Sequence, residues 1–422
     1  MSRELDVVVV GAGPTGCVMA ALLLARNLAA PGRVAVVAER ISSPSPRREV
    51  TAVPEAAAAS AGIPWDLRVF ALSRASQRLL ELCGVWRSLP PDLVFPYERM
   101  CVWDESGTAL GRGSLTFDCA ELGEPDLGFI VDGQALQDRC VQAAGAAGAV
   151  LIEAAVQAVD VTERGVRIAL ADGRELGARL VIAADGAGST TRELLGIATA
   201  GHTYHQDALV AHVRTAEPHR NTAWQRFLPT GPLALLPLSD GRSSIVWSTT
   251  REESARLRAL DPRGFAAAVL EASGGVLGDI ELTTPVASFP IHLQYALDYV
   301  RPRAALVGDA AHAVHPLAGQ GLNLGLLDCA SLAEALGEAG ASLGDYGPLR
   351  RYERRRKSEN LITAAALDGL ERLFSSSNPG IARLRAAGLG AVGGLSFVKR
   401  KLAKRALGID GDVPAFVKAQ IP

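Results

Sequence analysis

The sequence has no Cys-x-x-Cys pair, and its six cysteines (Cys17, Cys83, Cys101, Cys119, Cys140 and Cys329) are scattered along the chain. That scatter argues against a thiolate metal cage or a disulfide framework and suits a reducing compartment. Net charge is nearly absent, at −2 over 422 residues, so there is no global electrostatic reason to expect nucleic acid as a partner. No uninterrupted apolar run reaches the roughly 20 residues that a membrane span requires. The opening MSRELDVVVVGAG enters an apolar strand without the basic stretch, apolar core and cleavage site of a secretion signal. The expectation is a cytoplasmic chain that meets a membrane only by lying on its inner face. No internal repeat is found, and alanine richness is the one low-complexity signal.

What is present is core material. Hydrophobic residues make up 48% of the chain, enough for two or three structural units. LDVVVV (5–10) reads as a buried parallel strand, PTGCVMAALLLARNL (14–28) as a helix and RVAVVAER (33–40) as the next strand, which together make a βαβ opening. ISSPSPRREVTAVPEAAAASAGIPW (41–65) reads as a long excursion and VFALSRASQRLLELCGVW (69–86) as an amphipathic helix. Short apolar alternations over 94–131 and 200–290 predict antiparallel sheet. The stretches 179–197 and 303–336 each read as strand, polar loop and helix, and 346–407 as helical.

Three motifs carry chemistry. GAGPTG places Gly11, Gly13 and Gly16 between a predicted strand and helix, with Glu39 and Arg40 closing the second strand. Glycines allow a tight turn and close approach of a pyrophosphate, the helix start offers free N–H donors, and the acid can bind ribose hydroxyls. The same pattern in GLGAVG (388–393) follows a helical stretch and leads into no βαβ unit, so it is chance. Arg68, in DLRVFALSRAS, is an ordinary surface cation unless a pyrophosphate lies near, when it becomes a bidentate partner. ADGAGSTTR (184–192) supplies Asp185 and Arg192 at a strand end, with Ser189 capping a helix as the plain alternative.

The densest stretch is GDAAHAVHPLAGQGLNLGLLD (308–328). His312 and His315 suggest metal, but Pro316 interrupts their spacing and no third ligand follows, so no metal is expected. No lysine follows the glycines, which excludes a phosphate P-loop. What remains is Asp309 at a strand end and Gly319, Gln320 and Gly321 opening a helix. That arrangement suits a ribityl chain and negative charge on a reduced ring.

These motifs, in this order and spacing over nearly the whole chain, resemble the group A flavoprotein aromatic hydroxylases, and in particular their ubiquinone-biosynthesis branch. The resemblance implies an α/β fold: a Rossmann-like FAD-binding domain with a parallel sheet, an antiparallel-sheet substrate domain and a helical C-terminus. The expected FAD-binding domain comprises 1–93, 120–200 and 295–345, the substrate domain 94–119 and 201–294, and the C-terminal helical segment 346–422. Gly11, Gly13, Gly16, Glu39 and Arg40 would hold the adenosine half of FAD. Arg68 and Asp185 would lie near the phosphates or the nicotinamide approach, and Asp309 would bind the ribityl chain. Pro316, Gly319, Gln320, Gly321, Leu322 and Asn323 would line the isoalloxazine. Where relatives often carry Glu-Asn, this chain has VDGQAL (131–136), and Gln134 is the expected replacement contact. Pro316, Gly319, Gln320, Gly321 and His312 form the candidate catalytic set, with no side chain acting as nucleophile; a satisfied structural role for His312 stays open.

The implied reaction uses NAD(P)H or another reductant and O₂. Oxygen passes through a flavin C4a-hydroperoxide to the ring of a polyprenylated phenol. Other ubiquinone-biosynthesis proteins are implied as partners. The basic segment LSFVKRKLAKRALG (395–408) is a candidate peripheral membrane contact. The alternatives are a flavin reductase or dehydrogenase, which lacks here its usual second strand-glycine-helix unit, and a non-turning-over FAD-containing assembly subunit. A flavin halogenase is disfavoured because W-x-W-x-I-P is missing.

Overall fold

A computed structural model describes residues 4–41, 64–111, 113–314, 319–338, 342–375, 399–401, 403–404, 407–408 and 413–418. Most of the expected excursion after residue 41, His315 and Pro316 lie outside the described residues.

The chain builds a parallel layer from its Val-rich segments. Strands Ala304–Leu306, Glu175–Ala183, Glu4–Val10, Val34–Ala38 and Val150–Glu153 lie side by side in that order, all parallel. Val7, Val8 and Val9 are fully buried, as expected of strands covered on both faces. Helix α1 (Pro14–Ala25) is buried along nearly its whole length, because α3 (Gly133–Ala146) and α4 (Gln320–Glu338) pack on it.

A nine-stranded sheet forms the second layer. Its central order is Ala287–Ala296, Thr199–Thr215, Ser243–Thr250, Gly231–Pro237, Thr222–Leu228 and Arg99–Asp104. Trp103, Trp224 and Trp247 fill its outer face against the helix Pro262–Ser273.

A small antiparallel sheet of Val69–Leu72, Gly128–Asp132 and Val94–Tyr97 joins the two. Here the structure corrects the helix read over 69–86. Val69–Leu72 is a strand in register with Phe129–Asp132, and α2 (Arg74–Leu82) begins only after Ser73, whose hydroxyl accepts from the Ser76 N–H. A four-residue apolar run fits either state, and the neighbouring strand edge decided it.

Helix α5 (Tyr346–Ser375) ties the layers together. The Tyr352 hydroxyl donates to Leu306 O of the parallel sheet. Further along, Tyr204 donates to Asp368 and Phe374 stacks on Phe227 of the nine-stranded sheet.

Candidate functional site

Between the two large sheets lies a cleft of about 1140 Å³. One end is built from the C-terminal edge of the parallel sheet, where α/β proteins bind ligands. Gly11 has φ +111, and a Cβ there would sit 2.3 Å from Ala184 O; a Cβ on Gly16 would sit 2.0 Å from Gly11 O. Only glycine permits this packing of loop, helix and neighbouring strand. Gly13 is the N-cap of α1, so the first helical N–H groups face the cleft as an anion site. Glu39 and Arg40 follow the second strand and line the same end.

Asp185 also lines the cleft. Its carboxylate accepts from Ser189 Oγ and, at 3.0 Å, from the Thr191 N–H, while Ser189 caps the short helix Thr190–Leu194. Arg192 is buried beneath, donating to Ala187 O at 3.0 Å and to Ala310 O at 3.1 Å. It thereby fixes the Asp185 loop to the turn Gly308–Ala310 that carries Asp309.

Asp309 is exposed to the cleft although protein encloses it on its other sides. Among the described residues its carboxylate has no hydrogen-bond partner. Burial pushes its pKa up, against the opposing pull of His312, Arg68 and His292. Arg68 lines the cleft with its guanidinium 4.7 Å from the Phe70 ring centroid. Gly319, with φ +60, Gly321 and Leu322 complete this wall at the start of α4.

The other end is apolar. Ala208, Val210, Ala223, Ala234, Leu236, Val246, Phe289 and Ile291 of the nine-stranded sheet line it, with Met100 and Ile130. Tyr97 closes one side, and burial, with Asp126 adding to it, pushes its hydroxyl pKa up to about 12.

Comparison with known proteins accounts for this arrangement. The FAD binding domain family matches residues 136–363. The chain is 35% identical over 391 residues to "Ubiquinone biosynthesis monooxygenase COQ6, mitochondrial" of Xenopus tropicalis, covering 79% of this chain and 81% of the relative. It is 35% identical over 351 residues to "3-demethoxyubiquinol 3-hydroxylase" of Escherichia coli, covering 82% and 88%. The chain belongs to the ubiquinone-biosynthesis branch of the FAD-dependent aromatic hydroxylases. The fold of the hydroxylase is also that of the p-nitrophenol 4-monooxygenase PnpA from Pseudomonas putida, with TM-score 0.72 at 22% identity over 96% of this chain and 98% of that one.

The cleft of the hydroxylase fits FAD by its own geometry. The glycine cradle at the start of α1 admits a pyrophosphate, the start of α4 lines the same cleft, and Asp309 offers a carboxylate without a hydrogen-bond partner among the described residues.

Four candidate residues of the hydroxylase do not line the main cleft. Gln134 faces a second cleft of about 430 Å³, with Trp65, Asp138 and Arg139, and donates to Asp138 at 2.9 Å. Gln137, one turn on, reaches the glycine loop instead and donates to Ala12 O; the sequence offered no signal to choose between the two. Asn323 is 3% exposed and straps α4 to the small sheet, accepting from the Ser73 N–H and Ser76 Oγ and donating to Ala71 O and Gly319 O. His312 is 2% exposed and its Nε2 lies 2.6 Å from Asp328 Oδ2. Asp328 also accepts from the Gly308 N–H, Arg356 Nε and Asn360 Nδ2. Burial alone would raise the Asp328 pKa, but His312 and Arg356 outweigh it and hold it at about 2. This network lies behind the cofactor wall. Asp328 closes the 308–328 motif and went unassigned in the sequence. Gln320 opens α4 but is not among the residues lining the cleft. No group of three or more His, Cys, Asp or Glu side chains among the described residues is placed to hold a metal ion.

Proposed function

We propose that this hydroxylase adds a hydroxyl to the aromatic ring of a polyprenylated phenol in ubiquinone biosynthesis. The observation that carries this reading is the continuity of the cleft. A glycine-and-carboxylate end suited to a dinucleotide opens directly into an apolar chamber floored by the nine-stranded sheet. The names of its relatives, a ubiquinone biosynthesis monooxygenase and a 3-demethoxyubiquinol 3-hydroxylase, point to the same substrate class.

Bound FAD, reduced by NAD(P)H or another donor, supplies the chemistry that activates O₂. The chain's own residues bind and orient. Gly11, Gly13, Gly16, Glu39 and Arg40 hold the adenosine half, while Asp185 and Arg68 sit beside the phosphate path. Asp309 accepts a ribityl hydroxyl. Gly319 and Gly321 place N–H groups of the α4 start where negative charge on a reduced ring is stabilised. Pro316 belongs to the same proposed set, from outside the described residues. The apolar floor holds ring and tail and excludes water from the reacting ring. His312 acts indirectly, by holding the Asp309 turn through Asp328. By this reading the flavin sits on the parallel sheet and the phenol on the nine-stranded sheet, and the enzyme works as a peripheral protein at a membrane surface beside other ubiquinone-biosynthesis proteins.

The test is turnover under ¹⁸O₂ with an authentic prenylphenol. One labelled atom should enter the product and the other water. Label confined to water and peroxide would favour the reductase or the assembly subunit instead.

A further inference from the structure

The cleft-facing side chains of the nine-stranded sheet are mostly small or apolar, and Gln225 breaks that pattern. It lies mid-strand in Thr222–Leu228, paired with Ala234 on one side and Val102 on the other, with Val246 beyond Ala234 in the same cross-strand row. Strand alternation sets Gln225 on the face of Phe227. Phe227 and Val102 pack with Val314, which ends just before the loop leading to Gly319. Gln225 therefore shares its sheet face with the residues that pack against Val314. It is 6% exposed and lines the cleft, and its side-chain amide makes no hydrogen bond to another described residue. A lone amide on an otherwise mostly small and apolar floor offers a ligand both a donor and an acceptor.

Resting on the reading of this chamber as the phenol site, we propose that Gln225 is the specificity-determining contact for the substrate's ring oxygen. An amide both donates and accepts, so it can hold a phenolic hydroxyl while the apolar floor holds ring and tail. Fixing that oxygen fixes which ring carbon faces the oxidant. Gln225 thus acts on ring orientation, and the tail contributes affinity without selecting a carbon.

The experiment titrates FAD-loaded wild type, Gln225→Leu and Gln225→Met with two probes that share a short prenyl tail: a prenylated phenol and the matching prenylbenzene that lacks the oxygen. Flavin fluorescence reports binding, and FAD content reports an intact site. Wild type should prefer the phenol by roughly 10-fold or more. Either variant should lose that preference through weaker phenol binding alone, and should release more peroxide and more ring isomers per reductant consumed. A variant that keeps the preference overturns the assignment to Gln225 and leaves the phenol site standing. Loss of binding to both probes would mark Gln225 as merely structural. Wild type that does not distinguish the probes overturns the phenol-site reading, and this inference with it.

Discussion

Asp309 places a single carboxylate on the wall of the cleft. No described residue hydrogen-bonds it, and burial raises its pKa against the pull of His312, Arg68 and His292, so its carboxylate is available to a ligand. Asp309→Ala should weaken FAD binding by about 1.5–3 kcal/mol, the loss of a hydrogen bond to a charged acceptor, or roughly 10- to 150-fold. Fluorescence titration of the apoprotein reads this directly, and unchanged affinity would remove Asp309 from the cofactor contacts. Asp309→Asn should have the opposite effect on the apoprotein, raising its Tm at pH 7. The sign follows from linkage. A folded-state pKa above the unfolded one means the ionised carboxylate disfavours folding, and that penalty fades as pH falls through the raised pKa. The Tm gap between Asn variant and wild type should therefore narrow on acidification. The position of Asp309 on the cleft was readable in the sequence because a strand end followed by a glycine-opened helix is a local pattern. Gln134 was not, because whether it or Gln137 meets the glycine loop depends on how α3 is turned against α1.

At the scale of elements, the site wall is held by a buried charge cluster joining the 308–314 turn to α4 and α5. Asp328, fully buried, receives the Gly308 N–H, His312, Arg356 and Asn360. Removing Asp328 leaves the buried Arg356 charge without its carboxylate. Asp328→Ala should therefore cost about 3–5 kcal/mol, measured as a lower urea midpoint at unchanged slope. It should also loosen FAD, since the turn bearing Asp309 loses its anchor. Because the Asp328 pKa is held at about 2, its contribution is complete above the ordinary carboxylate value of about 3.9 and is lost as pH falls through 2. An Asp328→Ala protein as stable as wild type would show that the cluster adds nothing. The pairing could not be read from sequence, because His312, Asp328 and Arg356 meet only when α5 folds back across α4. Strand Val69–Leu72 was opaque for a similar reason, its state being set by a partner strand about 60 residues away.

For the whole molecule, the proposed prenylated substrate needs a route into the cleft. No helix of the described residues is long and apolar enough to cross a membrane. The basic C-terminal segment lays Ala403 and Leu407 against the body of the protein, and Lys399 pairs with Glu121. Arg400, Lys401 and Lys404 are exposed, while Arg405 lies outside the described residues. If this face rests on an anionic bilayer, each cation near the surface adds about 1 kcal/mol. A substrate passed directly from the bilayer also avoids exposing its tail to water at roughly 0.8 kcal/mol per CH₂. Wild type should co-sediment with anionic liposomes more strongly than a variant with Lys399, Arg400, Lys401, Lys404 and Arg405 changed to Gln, and salt should narrow the difference. Equal binding by both proteins would make the segment simply a solvated, packed helix.

The glycine spacing, the short β-branched runs and the 308–328 stretch were enough to establish an α/β chain with a dinucleotide end, because each is a local arrangement whose chemistry needs only near neighbours in sequence. The apolar chamber, the isolated amide of Gln225 and the charge cluster around Asp328 were decided by tertiary structure alone. Each is made of side chains from strands and helices far apart along the chain, and only the register of the nine-stranded sheet and the packing of α5 on α4 bring them to one place.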